Sequence, residues 1–142
     1  MTVVLLPVGE DVDRARQVAE AVLDLPGETS ELEVIVLNVF TEFDVADEGT
    51  KVSSDQFYDE TDFPESMETV ISLLKEGGAT IRPKRAHGEP AEEIIAEANS
   101  VNADYIAISG RKRSPTGKVL FGSVTQSVLL SAETPVIVTM AE

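Results

Sequence analysis

YIAISGRKRSPTGKVLFGSVT, residues 105–125, joins an apolar run to a helix start through a basic, glycine-framed loop. The run Tyr105, Ile106, Ala107, Ile108 reads as a strand buried on both faces that stops at Ser109 and Gly110. Gly110 turns the chain where a side chain would clash, and Gly122 lets a ligand approach the backbone just before Ser123 opens a helix carrying Val124, Val128 and Leu129. Helix starts present unpaired N–H groups and the positive end of a dipole. Arg111, Lys112, Arg113 and Lys118 place four of the chain's 11 basic residues beside this one. The stretch predicts a strand, an anion-ready loop and a helix. The alternative is a loop that only joins the two elements, its charges solvated and Ser123 serving as an N-cap.

Upstream, VVLLPV ends at Gly9 and is too short for a helix, which predicts a central strand. Glu10, Asp11 and Asp13 then open a helix whose Val12, Ala15, Val18, Ala19, Val22 and Leu23 recur at three- and four-residue spacing until Pro26 and Gly27. LEVIVLNVF, residues 32–40, is a second strand, and a crossover of this length implies parallel pairing. Met67, Val70, Ile71 and Leu74 give another helix face, ended by Gly77 and Gly78. ATIRPKR, residues 79–85, is a third strand, and Pro83 places it at a sheet edge. His87-Gly88-Glu89-Pro90 is a turn into a helix buried through Ile94, Ile95 and Ala98, with His87 either a turn residue or within reach of a ligand. Residues 123–131 form the last helix, and PVIVTM, residues 135–140, a fifth strand. This alternation predicts a three-layer, doubly wound α/β fold.

The 142 residues suit one domain spanning 1–142. Residues 41–65 carry nine acids against one lysine and are expected to form an acidic, mobile loop. Its Asp44, Asp47, Glu48, Asp59, Glu60 and Asp62 do not match calcium-loop spacing, so no metal site is read there, while Phe57, Tyr58 and Phe63 would pin the loop to the core. A net charge of −15 disfavours nucleic acid and restricts any phosphate ligand to a small one met by a local basic patch. The same acidity fits either a solvated surface or a salty cytoplasm. Cysteine is absent, excluding disulfides and thiolate metal sites. No apolar run approaches the ~20 residues of a membrane span. VVLLPV follows Met1 and Thr2 with no basic start and no small-residue cleavage site, so a cytoplasmic location is expected. A lone histidine, no cysteine and no G-x4-G-K-[S/T] loop equip the chain poorly for catalysis, and no enzyme is assigned.

Residues 105–125 resemble the signature loop of the universal stress protein family, G-x2-G-x9-G-[S/T], which cradles the phosphates and ribose of ATP. Gly110 matches the first glycine and Gly122-Ser123 the terminal pair; Arg113 replaces the second glycine, the loop is one residue shorter, and Gly117 offers another source of flexibility. The PV turn after strand 1, the G-E-P-A-E-E-I-I helix start, A-D-Y-I-A-I and the final T-P-V-I-V extend the resemblance along the chain. The acidity is similar to that of haloarchaeal members.

The resemblance implies a parallel five-stranded sheet in the order 3-2-1-4-5, with a crevice between strands 1 and 4 bringing Pro7, Val8 and Gly9 opposite Ser109 and Gly110. It implies Val8, Gly9 and Val39 around adenine and ribose, Gly110, Gly122, Ser123 and Val124 around ribose and phosphate, and Arg111, Arg113, Gly117 and Lys118 in the phosphate loop. The family's usual aspartate after PV is Gly9 here, so either Glu10 or Asp11 substitutes or the adenine contact weakens. The implied ligand is ATP or another adenine nucleotide, with or without Mg2+, bound by a stress-response regulator that forms a homodimer through strand 5. A nucleotide-independent dimeric interaction module is the alternative, and slow ATP hydrolysis or self-phosphorylation at Ser123 or Thr125 a further one.

Overall fold

Apolar runs become strands and amphipathic runs become helices throughout the computed structural model, which describes residues 1–40, 65–112, 119–120 and 122–141. In chain order these are β1 (Thr2–Pro7), α1 (Val12–Leu23), a 3-10 turn (Thr29–Glu31), β2 (Leu32–Phe40), α2 (Glu65–Glu76), β3 (Thr80–His87), α3 (Pro90–Ser100), β4 (Tyr105–Lys112), β5 (Val119–Leu120), α4 (Ser123–Ser131) and β6 (Val136–Ala141). Five strands run parallel in the order β3-β2-β1-β4-β6, the expected 3-2-1-4-5 with β6 as its fifth member. Pro83 sits opposite Val36 on β3, an edge strand as expected.

Alternation along each strand builds the three layers. Val4 and Leu6, Val34 and Val36, and Ala107 face one core, shared with Val18 and Val22 of α1 and Val70 and Leu74 of α2. Leu5, Ile35, Leu37, Ile106 and Ile108 face the other, against Ile94 and Ala98 of α3 and Val128 of α4. Asp104 fixes β1 beside β4 at the start of both strands. Its carboxylate accepts from the Val3 N–H at 2.8 Å, and its own N–H donates to the Val3 carbonyl at 2.7 Å.

The expected turn at Gly110 is corrected: β4 continues through it to Lys112. Gly110 is buried and pairs with Met140 of β6, while Arg111 and Lys112 pair antiparallel with Leu120 and Val119. Ladder partners on both flanks keep the chain extended. Arg111 also pairs with Ala141, so β5, which the sequence reading did not anticipate, occupies the β1 flank of β4. β3 likewise runs on through His87, which pairs with Phe40, and Gly88 at φ +148° makes the turn instead.

Other boundaries shift less. α1 ends at Leu23, before Pro26, and Glu65 is the first residue of α2 rather than part of a loop. Gly78, at φ +93°, ends α2 in a conformation that glycine adopts readily. Of the apolar positions expected to bury α4, only Val128 is buried; Val124 and Leu129 are 36% and 38% exposed. The acids and aromatics between positions 41 and 64 lie outside the described residues.

Candidate functional site

The turn after β1 is tied down from behind by the two buried polar side chains found among the described residues, Asn38 and Ser66. The Asn38 amide donates to the Val8 carbonyl at 3.2 Å, the Ser66 hydroxyl donates to the Gly9 carbonyl, and the Val8 N–H donates to the Leu37 carbonyl at 2.8 Å. Burying these groups unpaired would be costly, so each stabilises the fold only while the turn keeps this shape. Across from it, the Thr125 hydroxyl donates to the Ser109 carbonyl at 2.9 Å and ties the first turn of α4 to β4.

Between the two lies a cleft of about 280 Å³, at the carboxyl ends of β1 and β4 where the chain leaves in opposite directions. Its size falls just below the roughly 300–1,000 Å³ typical of small-molecule sites. Pro7, Val8, Gly9, Val39, Ser109 and Val124 line it, so six of the residues picked out from sequence converge here. Gly110 does not line it, being built into the ladder of β4. Gly122 and Ser123 are exposed at the mouth of α4, outside the lining. Gly122, not Ser123, is the N-cap of that helix, and among the described residues no side chain caps it. Arg111 and Lys112 belong to the end of β4 rather than to a loop. Arg113, Gly117 and Lys118 lie outside the described residues.

Leu37, Ile108 and Ile94 complete the apolar walls, with Pro90, Thr125 and Arg14 at other points of the lining. Leu37 and Val39 share a face of β2, so strand period alone could have added Leu37. Arg14 had no sequence signal beyond its place in the first turn of the helix after strand 1. Asp11 caps that helix by accepting from the Arg14 N–H at 3.0 Å, and Glu89 caps α3 by accepting from the Glu92 N–H at 2.8 Å. Of these three helix starts, α4 alone has first-turn N–H groups without a side-chain cap. Asp11 is thus engaged both with the helix start and with the Arg14 side chain.

A parallel sheet in this order, with a cleft at its switch point, is a doubly wound α/β fold. The model of the universal stress protein family matches residues 1–139, and the chain belongs to that family. Universal stress protein MJ0531 of Methanocaldococcus jannaschii is 31% identical over 74 residues, covering 52% of this chain and 44% of the relative. The matched stretches span between 31% and 53% of the curated relatives' own length. The solved universal stress protein from Archaeoglobus fulgidus is 28% identical with a TM-score of 0.71, covering 97% of this chain and 98% of that one. A structure of the universal stress protein from A. fulgidus in complex with dAMP aligns at 23% identity and a TM-score of 0.66, over 97% of both chains. Among the described residues no helix is long and apolar enough to cross a membrane.

Proposed function

We propose that this chain is a one-domain, cytoplasmic stress-response regulator that binds an adenine nucleotide, ATP or a shorter relative, in the cleft between β1 and β4. The cleft carries the reading: Val8, Leu37, Val39, Ile94 and Ile108 offer an apolar slot suited to a planar base. The first turn of α4 lies beside it, without a side-chain cap among the described residues, and its N–H groups suit a phosphate. The dAMP held by the A. fulgidus protein adds support from a chain of the same fold. Gly122, Ser123, Arg111, Arg113, Gly117 and Lys118 would then follow the ribose and phosphates, with Mg2+ as an optional companion of ATP. The regulator acts as a homodimer joined through β6, the partner surface changing with nucleotide.

Calorimetry with ATP and AMP at high salt and physiological magnesium tests the cleft. Val124 lines it and is 36% exposed, so Val124→Trp fills the slot without disturbing the core. Heat of binding in the parent and at least about tenfold weaker binding in a folded Val124→Trp variant are expected, a loss of ~1.4 kcal/mol. No heat in the parent, or equal affinity in the variant, would overturn this assignment and leave the nucleotide-independent interaction module.

A further inference from the structure

Arg14 is the one charged residue among the described residues that line the cleft. Its side chain is 27% exposed and joins the lining of the cleft from the first turn of α1. Nε lies 3.7 Å from an Asp11 carboxylate oxygen, too far for a good hydrogen bond, while the other Asp11 oxygen receives the Arg14 backbone N–H at 3.0 Å. A guanidinium carries five N–H donors in a planar fork. Among the described residues Asp11 is its only ion-pair partner, and that contact occupies one edge of the fork. A partly desolvated cation beside apolar walls attracts an anion more strongly than it would in open solvent.

We propose that Arg14 is the anion-reading residue of this cleft, making it select phosphorylated over unphosphorylated nucleosides, with Asp11 opposing it. This rests on the nucleotide reading above and deepens it by naming what distinguishes one adenine ligand from another. Asp11 keeps a carboxylate beside the guanidinium, and its negative charge repels the phosphate that Arg14 attracts. The two roles of Asp11 separate chemically: asparagine caps a helix as well as aspartate but carries no charge.

Binding of adenosine and AMP to the full chain, measured side by side, tests the assignment. Arg14→Gln should weaken AMP about tenfold and change adenosine less than about twofold, since a charge-assisted hydrogen bond is lost for one ligand only. Arg14→Lys, keeping the charge without the fork, should fall between. Asp11→Asn should tighten AMP about threefold at unchanged adenosine affinity, and it reports even if the Arg14 variants fail to fold. Equal losses for the two ligands in Arg14→Gln, or unchanged or weaker AMP binding in Asp11→Asn, would overturn the role of Arg14 while leaving the nucleotide reading intact. A parent that binds neither ligand would overturn both.

Discussion

Gly122 has backbone angles of φ −66° and ψ 164°, open to any L-residue, and a β-carbon there would meet no described atom within 4 Å. Among the described residues no steric contact or backbone angle requires glycine at this position. Contrast Gly78, whose φ of +93° strains any larger residue. What Gly122 leaves free is space at the mouth of α4, beside the uncapped N–H groups that the proposed phosphate would meet. Gly122→Val, which puts a poor N-cap residue in place of glycine, should cost about 1 kcal/mol of stability, yet weaken ATP at least about tenfold while leaving adenosine unchanged. Thermal melting and calorimetry on one preparation decide the matter. Equal loss of ATP and adenosine would place the base, not the phosphates, against α4. No loss of either would move the ligand away from that helix.

Among elements, the β1–α1 turn is the part of the cleft that buried side chains from two other elements tie down. Val8 and Gly9 form its rim, and their carbonyls are held by Asn38 from β2 and Ser66 from α2. Ser66→Ala leaves the Gly9 carbonyl without its described partner and should cost about 1 kcal/mol of stability. It should also weaken nucleotide severalfold, because the rim is no longer fixed; denaturant melts and titration of the same variant check both effects. Nucleotide affinity unchanged in a destabilised Ser66→Ala variant would make the tether structural only. The rim residues Pro7, Val8 and Gly9 were legible in sequence, because an apolar run ending in glycine locates a strand end. The tethers were not legible: nothing local in Asn38 or Ser66 announces a partner 30 or 57 residues away. Gly110 misled for a related reason. A glycine after an apolar run reads as a turn, whereas its extended state depends on β6, which lies farther along the chain, and on the continuation of β4 into pairing with β5. Helix faces were legible where spacing governs burial, as in α1 and α2. In α4 nearly every position is apolar or small, so spacing alone did not distinguish Val128, which is buried, from Val124 and Leu129, which are 36% and 38% exposed.

At the scale of the whole molecule, the decisive feature is the β6 edge. Among the described residues β6 pairs only with β4, which leaves its other flank as the last edge of the parallel sheet. The Ile106 N–H donates to the Pro135 carbonyl at 2.9 Å, and this fixes the phase of the ladder. By alternation Ile137 and Thr139 direct their backbone groups toward β4, while Val136, Val138 and Met140 direct theirs outward. Residues 135–140 contain no charge to discourage strand addition, and Met140 and Leu130 are 36% and 79% exposed. Antiparallel pairing of two β6 strands about a two-fold axis would satisfy the outward groups and close the assembly. Val138→Pro is the substitution suited to test this. Proline removes an outward N–H and spares the ladder to β4, as edge positions tolerate. The protomer should therefore stay folded, with its far-ultraviolet spectrum intact, while its dimer weakens by at least about tenfold in Kd. Sedimentation of parent and variant across micromolar concentrations measures the shift. A monomeric parent, or a variant that sediments as the parent dimer does, would mean that β6 is not the interface.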